Sequence, residues 1–198
     1  ACERALVENF DSIQTNLSKV DVRKAECRNP EDTKAILDEL EQGVGSIECN
    51  TQVIGLLREA LVAQARAALA RLPAAERGTS VLLTQLGRLM RDMGKLEEAM
   101  PLHEEALQAC RETLGDRHSD TLGSINNMGL LLRDMGRLKE VLPLEKEALQ
   151  GRRATLGDHH KDTLCSVNSM GTLLQALGQL EEARPLLEEV LQRNRETL

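Results

Sequence analysis

Residues 91–122 read RDMGKLEEAMPLHEEALQACRETLGDRHSDTL, and residues 133–164 read RDMGRLKEVLPLEKEALQGRRATLGDHHKDTL. A third copy, QALGQLEEARPLLEEVLQRNRETL, occupies 175–198, and each copy begins 42 residues after the one before it. Self-similarity at a period of about 20–50 residues is typical of stacked repeat proteins, in which each unit buries its apolar face against its neighbours. The sequence therefore predicts a repeat array.

Each unit reads as two antiparallel helices, named helix A and helix B below. The apolar residues of both helices recur at the three- and four-residue spacing of one helical face. In the middle unit they are Leu122, Ile125, Met128 and Leu132 in helix A, and Leu138, Val141, Leu142, Leu144, Ala148 and Leu149 in helix B. The sequence shows no strand-type alternation. We predict an all-α fold, an α-solenoid of about three helix-turn-helix repeats over 79–120, 121–162 and 163–198.

The connections between the helices carry their own signals. Glycines break the chain between helix A and helix B, at Gly94, Gly136 and Gly178. The loop from helix B to the next helix A contains Asp120 or Asp162, which we predict to cap that helix. His118 and His160 recur in the same loops. Because a catalytic histidine would not be expected to recur with the repeat, we interpret both as loop residues that satisfy backbone groups.

Residues 1–72 do not share the repeat. Apolar residues at helical spacing predict a first helix over 2–26, and the capping pattern at Asn29 predicts the start of a second. A loop through 46–51 is expected to lead into a third helix, which ends at the boundary stretch 73–80. We interpret this N-terminal segment as a helical cap or docking segment ahead of the array.

Composition restricts the classes of function. The net charge is −7 without a strongly basic segment, and Phe10 is the only aromatic residue. Nucleic-acid binding is therefore not expected, because both the basic footprint and the stacking platforms are missing. The sequence also lacks an apolar run of about 18 residues and a signal peptide, so no direct membrane span is expected. The chain begins at Ala1, which we interpret as processing or trimming, with the compartment open between cytoplasm and organelle.

Five cysteines are present, without the spacing of a metal site. Cys110 and Cys165 lie on apolar stretches of the repeats and are predicted to be buried thiols. A Cys27–Cys49 disulfide would close a loop that contains a helix, whereas a reducing compartment would keep both thiols free. The sequence leaves both states open. Phosphate loops, nucleophile elbows and zinc-protease helices are absent, so neither a cofactor nor an enzymatic activity is predicted.

Four phrases of the repeat resemble the tetratricopeptide repeat, in the 42-residue form of kinesin light chains. They are TLGDRHSDT (113–121), SINNMG (124–129), MGRLKE (135–140) and LPLEKEAL (142–149). The resemblance covers 79–198 and implies a right-handed superhelix whose concave surface is lined by helix A. It also implies that Gly87, Gly129 and Gly171 allow helix A to approach its own helix B closely. Where the family places an aromatic residue on helix B, this chain has His103, Glu145 and Leu187.

The resemblance also implies where a partner would bind. The helix A side chains that packing does not need would line the concave surface and hold a peptide or a helix of another protein. These residues are Gln85, Arg88, Arg91, Asn126, Asn127, Leu130, Arg133, Asn168, Thr172 and Gln175. Amides can donate to and accept from a peptide backbone, and arginines can pair with acidic side chains. The expected function is a non-enzymatic interaction module or scaffold.

A second hypothesis remains open beside this one. The chain would be a structural subunit, built stably into a larger organellar or membrane-associated complex. It would dock through residues 1–72 and through the last repeat, after which the sequence has no polar capping helix. Both hypotheses make other proteins the only expected partners.

Overall fold

A computed structural model describes Phe10, Ser12 and residues 46–196. The chain divides into two compact units, Ala1–Leu72 and Pro73–Leu198. In the first unit, helix α1 spans Ser46–Leu69 and buries Leu61, Val62, Ala65, Ala68 and Leu69. The predicted loop over 46–51 is wrong, because this stretch forms the first turns of α1. It contains neither Gly nor Pro, and Glu48 favours the helix by lying at the positive end of its dipole.

Of the first predicted helix, the structure describes Phe10 and Ser12, both of which are helical, and Phe10 is fully buried. The predicted helix that starts at Asn29 lies outside the described residues.

The described part of the second compact unit, Pro73–Leu198, is a series of helices joined by turns. They are α2 (Ala74–Arg77), α3 (Val81–Asp92), α4 (Leu96–Leu114), α5 (Ser119–Asp134), α6 (Leu138–Leu156), α7 (Lys161–Ala176) and α8 (Leu180–Glu196). From α3 onward each helix packs against the next, and α3 also contacts α5. The pairs α3–α4, α5–α6 and α7–α8 are the three predicted A–B units. No strand occurs within residues 46–196, and the all-α repeat fold is confirmed.

The turn between helix A and helix B is the same in all three units. Gly94, Gly136 and Gly178 have φ of +74°, +73° and +76°, in the left-handed region that favours glycine. In the first repeat unit, formed by α3 and α4, the amide of Gly94 donates to the Arg91 carbonyl and the amide of Lys95 donates to the Met90 carbonyl, both at 2.9 Å. This pair of bonds is a Schellman motif, which satisfies carbonyls at the end of helix A and reverses the chain.

Histidine caps helix A in the second and third repeat units, whereas the Ser80 hydroxyl caps α3 in the first. The Nδ1 atom of His118 accepts a hydrogen bond from the amide of Asp120 at 3.2 Å, and His160 accepts one from Asp162 at the same distance. The prediction that Asp120 and Asp162 are the caps is therefore wrong, because both lie inside the first turn and supply the capped amide. The interpretation of the histidines as residues that satisfy backbone groups is confirmed.

Replacing the capping histidine is expected to weaken the array modestly. His118→Ala leaves the Asp120 amide without its acceptor and should lower the free energy of unfolding by about 1 kcal/mol. His118→Asn, which restores a capping acceptor, should retain most of that stability. Urea unfolding at pH 7.5 measures both, and equal losses in the two variants would contradict a capping role.

The core of the array lies between the three repeat units, each of which is one pair of helices A and B. One buried cluster joins all three, combining Leu107 of α4 with Leu122, Ile125, Met128 and Leu132 of α5, Val141 and Ala148 of α6, and Leu173 of α7. Ion pairs follow the same register on the B helices. Arg111 contacts Glu147 of the next helix B at 2.6 Å, and Arg153 contacts Glu189 at 2.9 Å. These pairs are half-exposed, so they contribute less to stability than the apolar core.

Candidate partner-binding face

Helix A packs on helix B through small residues in the same register. A Cβ at Gly87 would lie 2.9 Å from the His103 ring, and a Cβ at Gly171 would lie 2.7 Å from Leu187 Cδ2. At Gly129 the nearest atom, Cγ1 of Val141, would be 3.6 Å away, which is an ordinary contact. The predicted close approach is confirmed at Gly87 and Gly171 and is looser at Gly129.

Two of the helix B residues found where an aromatic side chain was expected, His103 and Glu145, are buried and have shifted pKa values. His103 is 2% exposed, and its Nε2 atom makes no well-formed hydrogen bond. Burial, reinforced by the charges of Arg91 and Arg88, lowers the pKa of His103 to about 4, although a backbone contact with Gly87 opposes the fall. His103 is therefore neutral at pH 7.

Glu145 occupies the same position in the second unit and is also buried. Its Oε1 atom lies 3.4 Å from Nη2 of Arg133. Burial raises the pKa of Glu145, and the charges of Arg133 and Arg152 oppose that rise. The carboxyl of Glu145 is thus held from within the unit by an arginine of helix A.

The three predicted partner-binding residues of α3 differ in exposure and in the contacts that they already make. Arg88 is exposed and forms no ion pair with any described residue. Arg91 is half-buried and already contacts Asp92 at 3.0 Å and Asp134 at 3.5 Å. Gln85 is half-buried, and its Oε1 atom is covered without a hydrogen-bond partner. Arg88 is the cation of α3 that is available to a ligand.

On α5, the four predicted residues, Asn126, Asn127, Leu130 and Arg133, are all half-buried. Arg133 is engaged by Glu145, so it is not an unpaired cation for a partner's carboxylates. On α7, the three predicted residues, Asn168, Thr172 and Gln175, are exposed. The Thr172 hydroxyl donates to the Ser169 carbonyl at 2.9 Å. The side-chain amides of Asn168 and Gln175 make no hydrogen bond to a described residue. The predicted face, which is the set of predicted partner-binding residues on α3, α5 and α7, is therefore most accessible on α7.

A cleft that the sequence did not predict lies between α3, α4 and the start of α5. Its volume is about 290 Å³. Val81 and Leu114, both exposed, line it together with Gly123, Asp120 and Asn127. A Cβ at Gly123 would meet no atom within 4 Å, so Gly123 leaves space in the cleft. The sequence did contain a signal for this space, because the positions 42 residues before and after Gly123 hold larger residues, Val81 and Cys165.

The two repeat cysteines have different environments. Cys110 is a buried free thiol, as predicted, and accepts a hydrogen bond from the Ser124 hydroxyl at 3.6 Å. Cys165 is an exposed free thiol, so its predicted burial is wrong. The neighbouring Ser166 faces the preceding helix B instead, where Arg152 donates to its hydroxyl. Cys165 therefore points away from that contact.

Other kinds of site receive no support from the part of the chain that the structure describes. Within it, no group of three or more His, Cys, Asp or Glu side chains is placed to hold a metal ion. No described helix is long and apolar enough to cross a membrane. Cys27 of the disulfide hypothesis lies outside the described residues, and of Cys49 only the helical backbone is described.

Comparison with known families decides the assignment of the array. The tetratricopeptide repeat model matches residues 78–154 and again 121–196, which together make up more than half of the chain. The chain belongs to the tetratricopeptide repeat family. Tetratricopeptide repeats generally mediate protein–protein interaction and generally act as non-enzymatic scaffolds. No curated protein matches the chain at a significant level.

Solved structures agree on the fold of this tetratricopeptide repeat chain. It is similar to a Podosopora anserina protein described as a kinesin light chain with nearly identical TPR-like repeats. The TM-score is 0.58 at 23% identity, over 98% of this chain and 88% of that one. It is also similar to BtubC (BKLC) of P. vanneervenii, with a TM-score of 0.57 at 15% identity, over 100% of this chain and 75% of that one. At these identities the likeness concerns the fold alone.

Proposed function

We propose that this chain is a non-enzymatic interaction module that binds a peptide or a helix of another protein along the predicted face of α3, α5 and α7. The observation that carries the proposal is the exposure of Arg88, Asn168 and Gln175. These side chains are not used in the packing of the array, although they lie on the helix that the family uses for binding. Their amides and the guanidinium match the hydrogen-bonding groups of an extended peptide.

The internal contacts determine which variants test this proposal. Arg133→Ala would leave the buried carboxyl of Glu145 without its arginine, so any loss of binding would be confounded by a loss of stability. Asn168→Ala combined with Arg88→Ala changes exposed side chains and should preserve the fold. Gln150→Ala, an exposed residue of helix B, is the matched control.

The test is a selection of random peptides on the full chain, followed by calorimetric titration of the strongest binders. The proposal predicts that the double variant weakens binding at least tenfold, while Gln150→Ala leaves the affinity unchanged. It is contradicted if no peptide is enriched, or if both variants bind the selected peptides like the unmodified chain.

A second candidate, stable packing against a neighbouring subunit, is favoured by one observation. Leu107 and Leu149 occupy one register position and are each 7% exposed, whereas Leu191 at the same position is 58% exposed. The following helix A covers Leu107 and Leu149, and a helix from outside residues 1–198 would cover Leu191 in the same way; this candidate assigns that helix to a neighbouring subunit. Sedimentation of the full chain beside Leu191→Ser distinguishes an associating chain from a monomer.

A further inference from the structure

Gly123 lies within helix α5, where a glycine is destabilising. Relative to alanine it costs a helix interior about 0.5–1 kcal/mol. At Gly87 and Gly171, close contacts with helix B require the absence of a Cβ. At Gly123 a Cβ would meet no atom within 4 Å, and its backbone lies outside the left-handed region. Internal packing therefore gives no reason for this glycine, while the space it leaves belongs to the cleft described above.

The lining of the cleft indicates what would fill the space. Val81 and Leu114 are 60% and 41% exposed and offer aliphatic surface to a ligand. On the inner side, Cys110 and Ser124 are buried and hydrogen-bonded to each other, so neither needs a hydrogen-bond partner from a ligand. Among the described residues that line the cleft, Asp120 alone is charged, and its carboxylate lies 3.4 Å from the Ser119 hydroxyl and 3.8 Å from Nδ1 of His118. An aliphatic chain that ends in a positive charge complements this combination.

We propose that the cleft beside Gly123 accepts a lysine side chain of a bound peptide, with its stem against Val81 and Leu114 and its ammonium beside Asp120. This inference rests on the proposed peptide-binding function and adds a specificity pocket to it. Asn127 and Thr84 also line the cleft, and Asn127 belongs to the predicted face. A peptide that lies on α5 can therefore place one side chain in the cleft.

The inference is tested with two small probes that differ in the charge at the end of the chain. They are Nα-acetyl-lysine N-methylamide and Nα-acetyl-norleucine N-methylamide, titrated into the full-length, ¹⁵N-labelled chain at pH 7. Saturable shifts are expected at the amides of Val81, Gly123 and Asn127 with the lysine probe. Since Asp120 is largely exposed, we expect only about a threefold preference for lysine over norleucine.

Variants separate the roles of space and charge. Gly123→Val fills the cleft and should abolish binding of both probes, and Gly123→Ala should weaken it less. Asp120→Asn should remove the preference for lysine, while Asp162→Asn, the same position one unit on, should not change it. Gly55→Ala, another helical glycine with no atom near its Cβ, should raise the melting temperature as Gly123→Ala does, without affecting the probes.

Three results would overturn the inference: equal affinity for the two probes, unchanged binding to Gly123→Val, or shifts confined to other residues. These failures are distinct from a failure of the proposed function. If selected peptides depend on Asn168 and Arg88 while the lysine probe does not bind, the pocket is refuted and the module stands. If the probe binds but no peptide is selected, the proposed function is refuted.

Discussion

Gly87→Ala is expected to lower the free energy of unfolding by about 1–2 kcal/mol, even though alanine is the better helix former. The added Cβ would lie 2.9 Å from Cε1 and Nε2 of His103. His103 is almost fully buried, so its ring cannot move aside without disturbing the packing of α4. Overpacking of this kind costs about 1–3 kcal/mol and outweighs the gain of up to about 1 kcal/mol in helix propensity.

The same substitution one unit later provides the matched control. A Cβ at Gly129 would lie 3.6 Å from Val141 Cγ1 and 3.7 Å from Glu145 Oε1, both ordinary distances. Gly129→Ala should therefore stabilise the array by up to about 1 kcal/mol through helix propensity. Urea unfolding of both variants measures the difference. Changes of the same sign and size would show that the glycine register does not determine how closely helices A and B pack.

The second large effect is acid destabilisation through His103. Its pKa is lowered in the fold to about 4 from an ordinary value of 6.5, so the unfolded chain binds the proton more tightly. The stability that comes from neutral His103 is complete above pH 6.5 and is lost as the pH falls toward 4. A difference of 2.5 pKa units corresponds to about 3 kcal/mol.

His103→Leu should remove this part of the pH dependence. Leucine already occupies the same position in the third unit, at Leu187, beside a glycine equivalent to Gly87. Between pH 7 and pH 4 the variant should lose about 3 kcal/mol less than the unmodified chain. His159→Leu, which changes an exposed loop histidine, is the control. Parallel pH profiles for the unmodified chain and His103→Leu would contradict the burial of a neutral histidine.

The features that recur in the sequence were predictable from it. Apolar spacing located the A and B helices of the array, and Gly94, Gly136 and Gly178 located the turns. Both signals are local, because helix periodicity and a positive φ at glycine depend on few neighbours. The function was predictable only at the level of the family.

The features that depend on which face a residue occupies were not predictable in this way. Cys165 lies on an apolar stretch, yet its neighbour Ser166 faces the preceding helix. Aspartate is the more usual cap than histidine, but His118 lies one position before the helix and Asp120 lies inside it. Spacing along the chain could not predict the pairing of Arg133 with Glu145 or the cleft at Gly123, because in each case the residues come from different helices.

Site-specific photo-crosslinking tests the central claim most directly, namely that the A helices carry the binding face. A photoreactive amino acid is placed singly at Arg88, Leu130 and Thr172 on helix A, and at Gln108 and Gln150 on helix B. Each chain is irradiated with a selected peptide, and the products are mapped by mass spectrometry. We expect crosslinks from the three helix A positions and none from the two on helix B. Crosslinks that form mainly from Gln108 and Gln150 would contradict the account.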